Sequence, residues 1–222
     1  TKNKSQDDRI MNFDNIFSIN RLSQSDSVEG GQSITVGTEY NLYNNGFDKE
    51  YFSANLATAF RDTQNKNLPI NSTLGNKNSD IFGGLSFSGN KFMNIDYGFS
   101  LDNDLKTINF NQIKSTLSFY NFVSKFDFLE KKGIGSESYI ANDTKLTVNQ
   151  NSSIGFRTRK NKEKNLTEYY NLLYEYQNDC LIAGIEFQKD YYSDNSLKPE
   201  ELIFFSITIM PFSKINSPGI NK

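Results

Sequence analysis

The sequence predicts an all-β protein, an antiparallel up-and-down transmembrane β-barrel. Three observations carry that expectation. First, period-two alternation recurs along the chain. In Met93–Leu101, the large apolar residues Met93, Ile95, Tyr97, Phe99 and Leu101 alternate with Asn94, Asp96, Gly98 and Ser100. Such a strand has one face in an apolar phase and one in a polar phase. Second, tight and longer connections alternate from Gly89 onward. A meander then collects its tight turns at one end, the asymmetry of outer-membrane barrels. Third, the strand-like segments run to about ten residues, where a tilted membrane strand needs roughly 9–11 and soluble strands average about 5–6.

Taken in order, the chain opens with an irregular polar segment over residues 1–32. Within it Asp14–Leu22 holds Ile16, Phe17, Ile19 and Leu22, and Ser23–Gly31 reads as loop. Ser33–Tyr43 then aligns Ile34, Val36, Thr38, Tyr40 and Leu42 on one face. Tyr51–Arg61 aligns Phe52, Ala54, Leu56, Thr58 and Phe60, opposite Ser53, Asn55, Ala57, Ala59 and Arg61. Asp80–Ser88 offers Ile81, Gly83, Leu85 and Phe87 against Gly84, Ser86 and Ser88, and Lys91–Leu101 follows.

Leu105–Phe119 changes phase: Ile108 and Phe110 have one parity, Ile113, Leu117 and Phe119 the other. A bulge near Asn111–Gln112 would account for this. Phe122–Glu130, Tyr139–Val148, Ser153–Arg159, Thr167–Gln177, Leu181–Lys189 and Leu202–Met210 complete the series, with Arg157, Arg159, Glu175 and Glu186 opposite apolar faces. Tyr169, Tyr170, Tyr191 and Tyr192 gather at strand ends, as an aromatic girdle would.

Composition fits apolar groups confined to one face. Mean hydropathy is −0.61 and hydrophobic content 36%, yet aromatics reach 14% through 19 Phe and 12 Tyr. Some sugar-binding sandwiches share this composition, and in a sandwich the charged face would simply be the outer one. No apolar run approaches the roughly 20 residues of a membrane helix, which says nothing against a barrel. A net charge of −2 gives no nucleic-acid signal, and Lys160–Lys164 reads as solvated loop.

The absence of histidine removes Ser-His-Asp and Cys-His nucleophile systems and most zinc sites. No carboxylate pair stands out. The expectation is therefore no catalytic residues, no cofactor and no metal ligands. Cys180, the single cysteine, cannot form an internal disulfide.

About eleven strands result, whereas single-chain bacterial barrels usually have an even count. The first full strand and Leu202–Met210 would run the same way, so closing them on each other would pair parallel strands. The chain begins at Thr1 without a signal peptide. These features are read as the C-terminal part of a larger barrel, with the barrel over residues 33–212 and a periplasmic tail over 213–222.

Two stretches resemble the LPS-assembly outer-membrane protein family (LptD, also called organic solvent tolerance protein). One is Asp14-Asn15-Ile16-Phe17-Ser18-Ile19-Asn20-Arg21-Leu22 followed by Val28-Glu29-Gly30-Gly31. The stronger is C-terminal. It comprises Glu175-Tyr176-Gln177-Asn178-Asp179-Cys180, Lys189-Asp190-Tyr191-Tyr192, Lys198-Pro199-Glu200 and Phe204-Phe205-Ser206-Ile207, and is similar to the ending of the alphaproteobacterial branch.

The resemblance implies transport rather than catalysis, in the cell outer membrane. It implies insertion of lipopolysaccharide into the outer leaflet through a lateral gate between first and last strands. The implied partners are lipopolysaccharide, an LptE-type plug lipoprotein and the periplasmic LPS-transport bridge. The gate strand would be Leu202, Ile203, Phe204, Phe205, Ser206, Ile207, Thr208, Ile209 and Met210. Family members use cysteines at the turn before this strand pair to tie the barrel to a periplasmic domain, so Cys180 would form an interdomain disulfide in a compartment that permits one. The competing expectations are another porin or receptor barrel of the outer membrane, and a soluble β-sandwich binding module.

Overall fold

The computed structural model describes residues 11–19, 21, 29–44, 49–68, 72–89, 92–133, 135–191, 200–209, 213–216 and 220–221. One short helix, α1 (Phe13–Ile16), precedes eleven long strands. These are β1 (Ser33–Asn44), β2 (Lys49–Arg61), β3 (Ile81–Gly89), β4 (Met93–Leu101), β5 (Ile108–Phe119), β6 (Phe122–Lys131), β7 (Glu137–Thr147), β8 (Ser152–Asn161), β9 (Leu166–Gln177), β10 (Leu181–Asp190) and β11 (Glu200–Ile209). Each strand neighbours the next in the chain, so the expected all-β up-and-down meander is present. Among the described residues the sheet is not closed: β1 stands at one end of the order and β12 (Ser213–Asn216) at the other.

The strands form where alternation said they would, and the register shows why. Across β1 and β2, Ile34 faces Phe60, Val36 faces Thr58, Thr38 faces Leu56 and Leu42 faces Phe52. Across β10 and β11, Leu181 faces Ile209, Ala183 faces Ile207, Ile185 faces Phe205 and Phe187 faces Ile203. Apolar residues thus meet apolar residues on one face. A one-residue slip would turn every one of them over. Ile108, Leu117 and Phe119 are all exposed although their parities differ, as a one-residue phase shift within β5 requires. Leu105, expected to begin that strand, instead sits in the turn before it with φ +60°.

The apolar face is the exposed one. Ile34 is 69% exposed, Leu172 50% and Ile185 47%. A β-sandwich would bury this face against a second sheet. Here these side chains point away from protein on strand after strand, the arrangement of a sheet whose apolar face meets lipid. No helix among the described residues is long and apolar enough to cross a membrane.

Beyond Ile209, within the segment read as a tail, the chain adds β12 and β13 (Ile220–Asn221). Both pair antiparallel with β11, on the edge that β10 leaves open.

Two compact units divide the chain. One comprises Thr1–Asn90, Asn94–Ile113 and Leu129–Glu137, the other Lys91–Met93, Lys114–Phe128 and Ser138–Lys222. In the first, a small core of Met11, Ile16, Ala57, Ala59, Leu68, Leu74 and Phe82 lies on the polar face of β2 and β3. Ala57 faces Phe82 across that strand pair, so Phe82 points away from the apolar face of Ile81, Gly83 and Leu85. The polar face is therefore not uniformly wet, as the alternation had suggested. The segment around α1 and the connection between β2 and β3 fold back over it.

Candidate functional site

Three places carry the functional argument: the polar face of the first unit, the polar face of the second, and the β11 edge.

The cover on the first polar face is built locally. Asn12 caps α1 and shares a reciprocal capping box with Asn15, whose side chains exchange bonds with each other's backbone N–H at 2.9 and 3.0 Å. This presents Ile16, 1% exposed, to the core beside Phe82, 2% exposed. Phe17 lies against β1 at Gly37, where any Cβ would stand 2.6 Å from the Phe17 ring. Glycine is therefore required for the close approach. The β2–β3 connection is tied back by Ser79, which accepts the Ala59 N–H on its Oγ at 2.9 Å and donates its own N–H to the Ala59 carbonyl at 2.9 Å.

A buried charge cluster joins these pieces. The Glu29 carboxylate receives both Arg21 and Arg61. The three side chains are 8%, 7% and 2% exposed respectively. Arg21 donates through Nε to Glu29 at 2.7 Å, and through its terminal nitrogens to Thr35 Oγ1 at 3.1 Å and Ser33 Oγ at 2.7 Å. Arg61 donates to the Leu74 carbonyl at 2.9 Å and the Gly30 carbonyl at 2.7 Å. Gly31 has φ +91°, and a Cβ there would meet Arg61 at 3.0 Å, so Gly31 makes room for the guanidinium. Nearby, Asp80 is buried and accepts Ser100 Oγ and Asn109 Nδ2, each at 2.8 Å. Ser100, expected in water, is buried by this contact.

The second unit keeps the hydrophilic polar face that alternation predicts. The Arg157 guanidinium lies 3.7 Å from Asp143, Arg159 pairs with Glu168 at 2.9 Å, and Lys145 pairs with Glu175 at 3.4 Å. Asn171 donates to Glu186 at 3.0 Å. Arg159 also stacks over the Tyr139 ring at 4.0 Å. A cavity of about 290 Å³ opens there, lined in part by Lys114, Lys125, Asp127, Asp143, Arg157 and Tyr169. These ion pairs range from half-buried, at Arg159 and Glu168, to exposed, at Arg157 and Asp143, and the exposed ones contribute little stability. Their consequence is a charged, hydrophilic face.

Tyr170 stands on the opposite face, paired across the strands with Lys189 and 5.9 Å from Tyr191. Tyr169 faces Arg159 and Asp190 on the polar face instead, so of the expected girdle Tyr170 and Tyr191 come together, and Tyr192 lies outside the described residues.

At the β11 edge, β10 pairs along the whole strand, from Leu181 with Ile209 to Asp190 with Glu200. The other edge is held by Ser206, Ile207, Thr208 and Ile209 against β12, and by Leu202 and Ile203 against β13. Met210 lies outside the described residues. Cys180 is exposed beside the β9–β10 turn, where Asn178 Oδ1 accepts the backbone N–H of Cys180 at 3.0 Å and of Leu181 at 2.8 Å.

Sequence reasoning marked Arg21 and Glu29-Gly30-Gly31 as a motif and Arg61 as a polar-face charge, but did not connect them. The available signal was an arginine among alanines and serines at a strand end, next to a long connection. Phe82 had no such signal, because it interrupts the small-residue face of its strand. Among the described residues, no group of three His, Cys, Asp or Glu side chains is placed to hold a metal ion.

Comparison with known proteins gives one family match. Residues 5–125 match the family described as LptD, LPS transport system D. No curated protein matches the chain. The family is an outer-membrane transport family rather than an enzyme family, and the all-β meander of the described residues is compatible with that setting. The match covers more than half of the 222 residues, and the chain belongs to the LptD family as a component of lipopolysaccharide transport.

Proposed function

We propose that this chain forms part of an outer-membrane barrel that inserts lipopolysaccharide into the outer leaflet through a lateral gate. The observation that carries the reading is the family match on a sheet whose apolar face is exposed along successive strands. In this reading the apolar face meets acyl chains and the charged face is a hydrated lumen. An LptE-type lipoprotein would plug that lumen, and a periplasmic bridge would deliver the lipid.

The gate edge is β11 together with β12 and β13. Among the described residues β12 is held by four register pairs and β13 by two; such an edge parts more readily than the ten-pair β10–β11 ladder, because each lost pair removes backbone hydrogen bonds. Lipid leaving sideways needs such a weak seam, since a continuous ladder would have to break in the bilayer, where unpaired backbone groups are costly. Cys180, exposed at the turn end, tethers the barrel to a periplasmic domain by a disulfide.

The test is depletion of the full-length protein in its host. Surface lipopolysaccharide, measured by labelling whole cells, falls as the protein is lost. Unchanged surface lipopolysaccharide after depletion would rule the function out.

A further inference from the structure

The buried Glu29 cluster does more than the sheet requires. β1 and β2 are already joined by a twelve-pair ladder, so the charges are not needed to hold the strands together. What they hold is the cover. Arg21 belongs to the N-terminal segment, Arg61 ends β2, and Arg61 reaches the β2–β3 connection at Leu74. Glu29 thus ties the N-terminal segment to the end of β2, and Arg61 ties the β2–β3 connection to the same point. Among the described residues the cover otherwise consists of a four-residue helix, which is not stable alone, and of Met11, Ile16, Leu68 and Leu74 packed on Ala57, Ala59 and Phe82.

We propose that Glu29 is the latch of an internal strap. The segment around α1 lies closed over Ala57, Ala59 and Phe82, and it opens by parting Arg21 from Glu29 and from the Ser33 and Thr35 hydroxyls of β1 while the strands stay paired. When closed it screens the polar face of β1–β3 at the end where the longer connections gather. When open it adds that face to the hydrated surface. Arg21 is the releasable arm. Its departure leaves Glu29 and Arg61 as a neutral pair, whereas loss of Glu29 itself would strand two buried cations, a far larger penalty. The Phe17 ring on Gly37 makes an apolar seat that can lift without breaking a hydrogen bond.

This inference rests on the polar face being a hydrated lumen, and the experiment separates the two. In the full-length protein carrying Cys180→Ser, a cysteine is placed at Ala57, beneath the strap, or at Glu39, exposed on the same face of β1. Each is labelled in cells with a membrane-impermeant maleimide, against the same protein without the added cysteine. Glu39→Cys is expected to label rapidly and Ala57→Cys slowly. Arg21→Met is expected to raise the Ala57→Cys rate by about tenfold or more, the effect of losing hydrogen bonds to a charged group, and to leave the Glu39→Cys rate unchanged.

An unchanged Ala57→Cys rate, with Glu39→Cys labelling well, would overturn the latch alone. Failure of Glu39→Cys to label would overturn the lumen reading and the latch with it. Loss of heat-modifiable, folded protein on Arg21→Met would also overturn the latch, because a strap that opens without unfolding the sheet cannot be required for folding.

Discussion

At the scale of single residues, the decisive quantity is what an exposed apolar side chain touches. Ile185 sits in the middle of β10, faces Phe205 and Tyr174 across the sheet, and is 47% exposed. If water covered it, replacement by arginine would be an ordinary surface change, within about 0.5 kcal/mol. Against acyl chains near the midplane the same substitution costs about 2–4 kcal/mol. Ile185→Arg in the full-length protein is therefore expected to lower its stability in bilayers by that larger amount, read from urea titration of folding into vesicles. A change near zero would place the residue in water.

Side-chain direction of this kind was legible in the sequence, since alternation alone put Ile185 opposite Glu186. The destination of Phe82 was not legible. Its burial depends on Ile16 and Leu74, which reach it through chain reversals that no local pattern records. The same holds for Glu29, whose partners stand 8 and 32 positions away.

At the scale of elements, tight turns were well marked because short polar pairs between alternating runs leave little choice of geometry. The turn at Asn178 is a case: its side chain closes the hairpin by accepting two backbone N–H groups, and this leaves the Cys180 thiol exposed. The sequence did not mark β12 and β13. Each is too short for alternation to register, and they form as edge additions to β11 rather than from their own pattern.

The exposed thiol next to a rigid turn makes the tether testable. Non-reducing electrophoresis of the full-length protein is expected to show a mobility that shifts on reduction. Cys180→Ser is expected to abolish the part of the shift that depends on this bond. Identical mobility of the two proteins without reductant would remove the tether.

At the scale of the whole molecule, a membrane strand is defined by two environments that alternate residue by residue. On β10 the register puts Ala183, Ile185 and Phe187 on the apolar face, and Ile182, Glu186 and Gln188 on the polar one. Reagent partitioning separates lipid from water on the first face. In the full-length protein carrying Cys180→Ser, single cysteines at 183, 185 and 187 are expected to react with a lipid-soluble maleimide and to resist an impermeant one. Cysteines at 182, 186 and 188 are expected to reverse that preference. The period of two must persist across the strand, because neighbouring side chains lie on opposite sides of a layer one strand thick. Equal reactivity at all six positions would mean that both faces are wet, and a sheet with both faces wet cannot be a membrane wall.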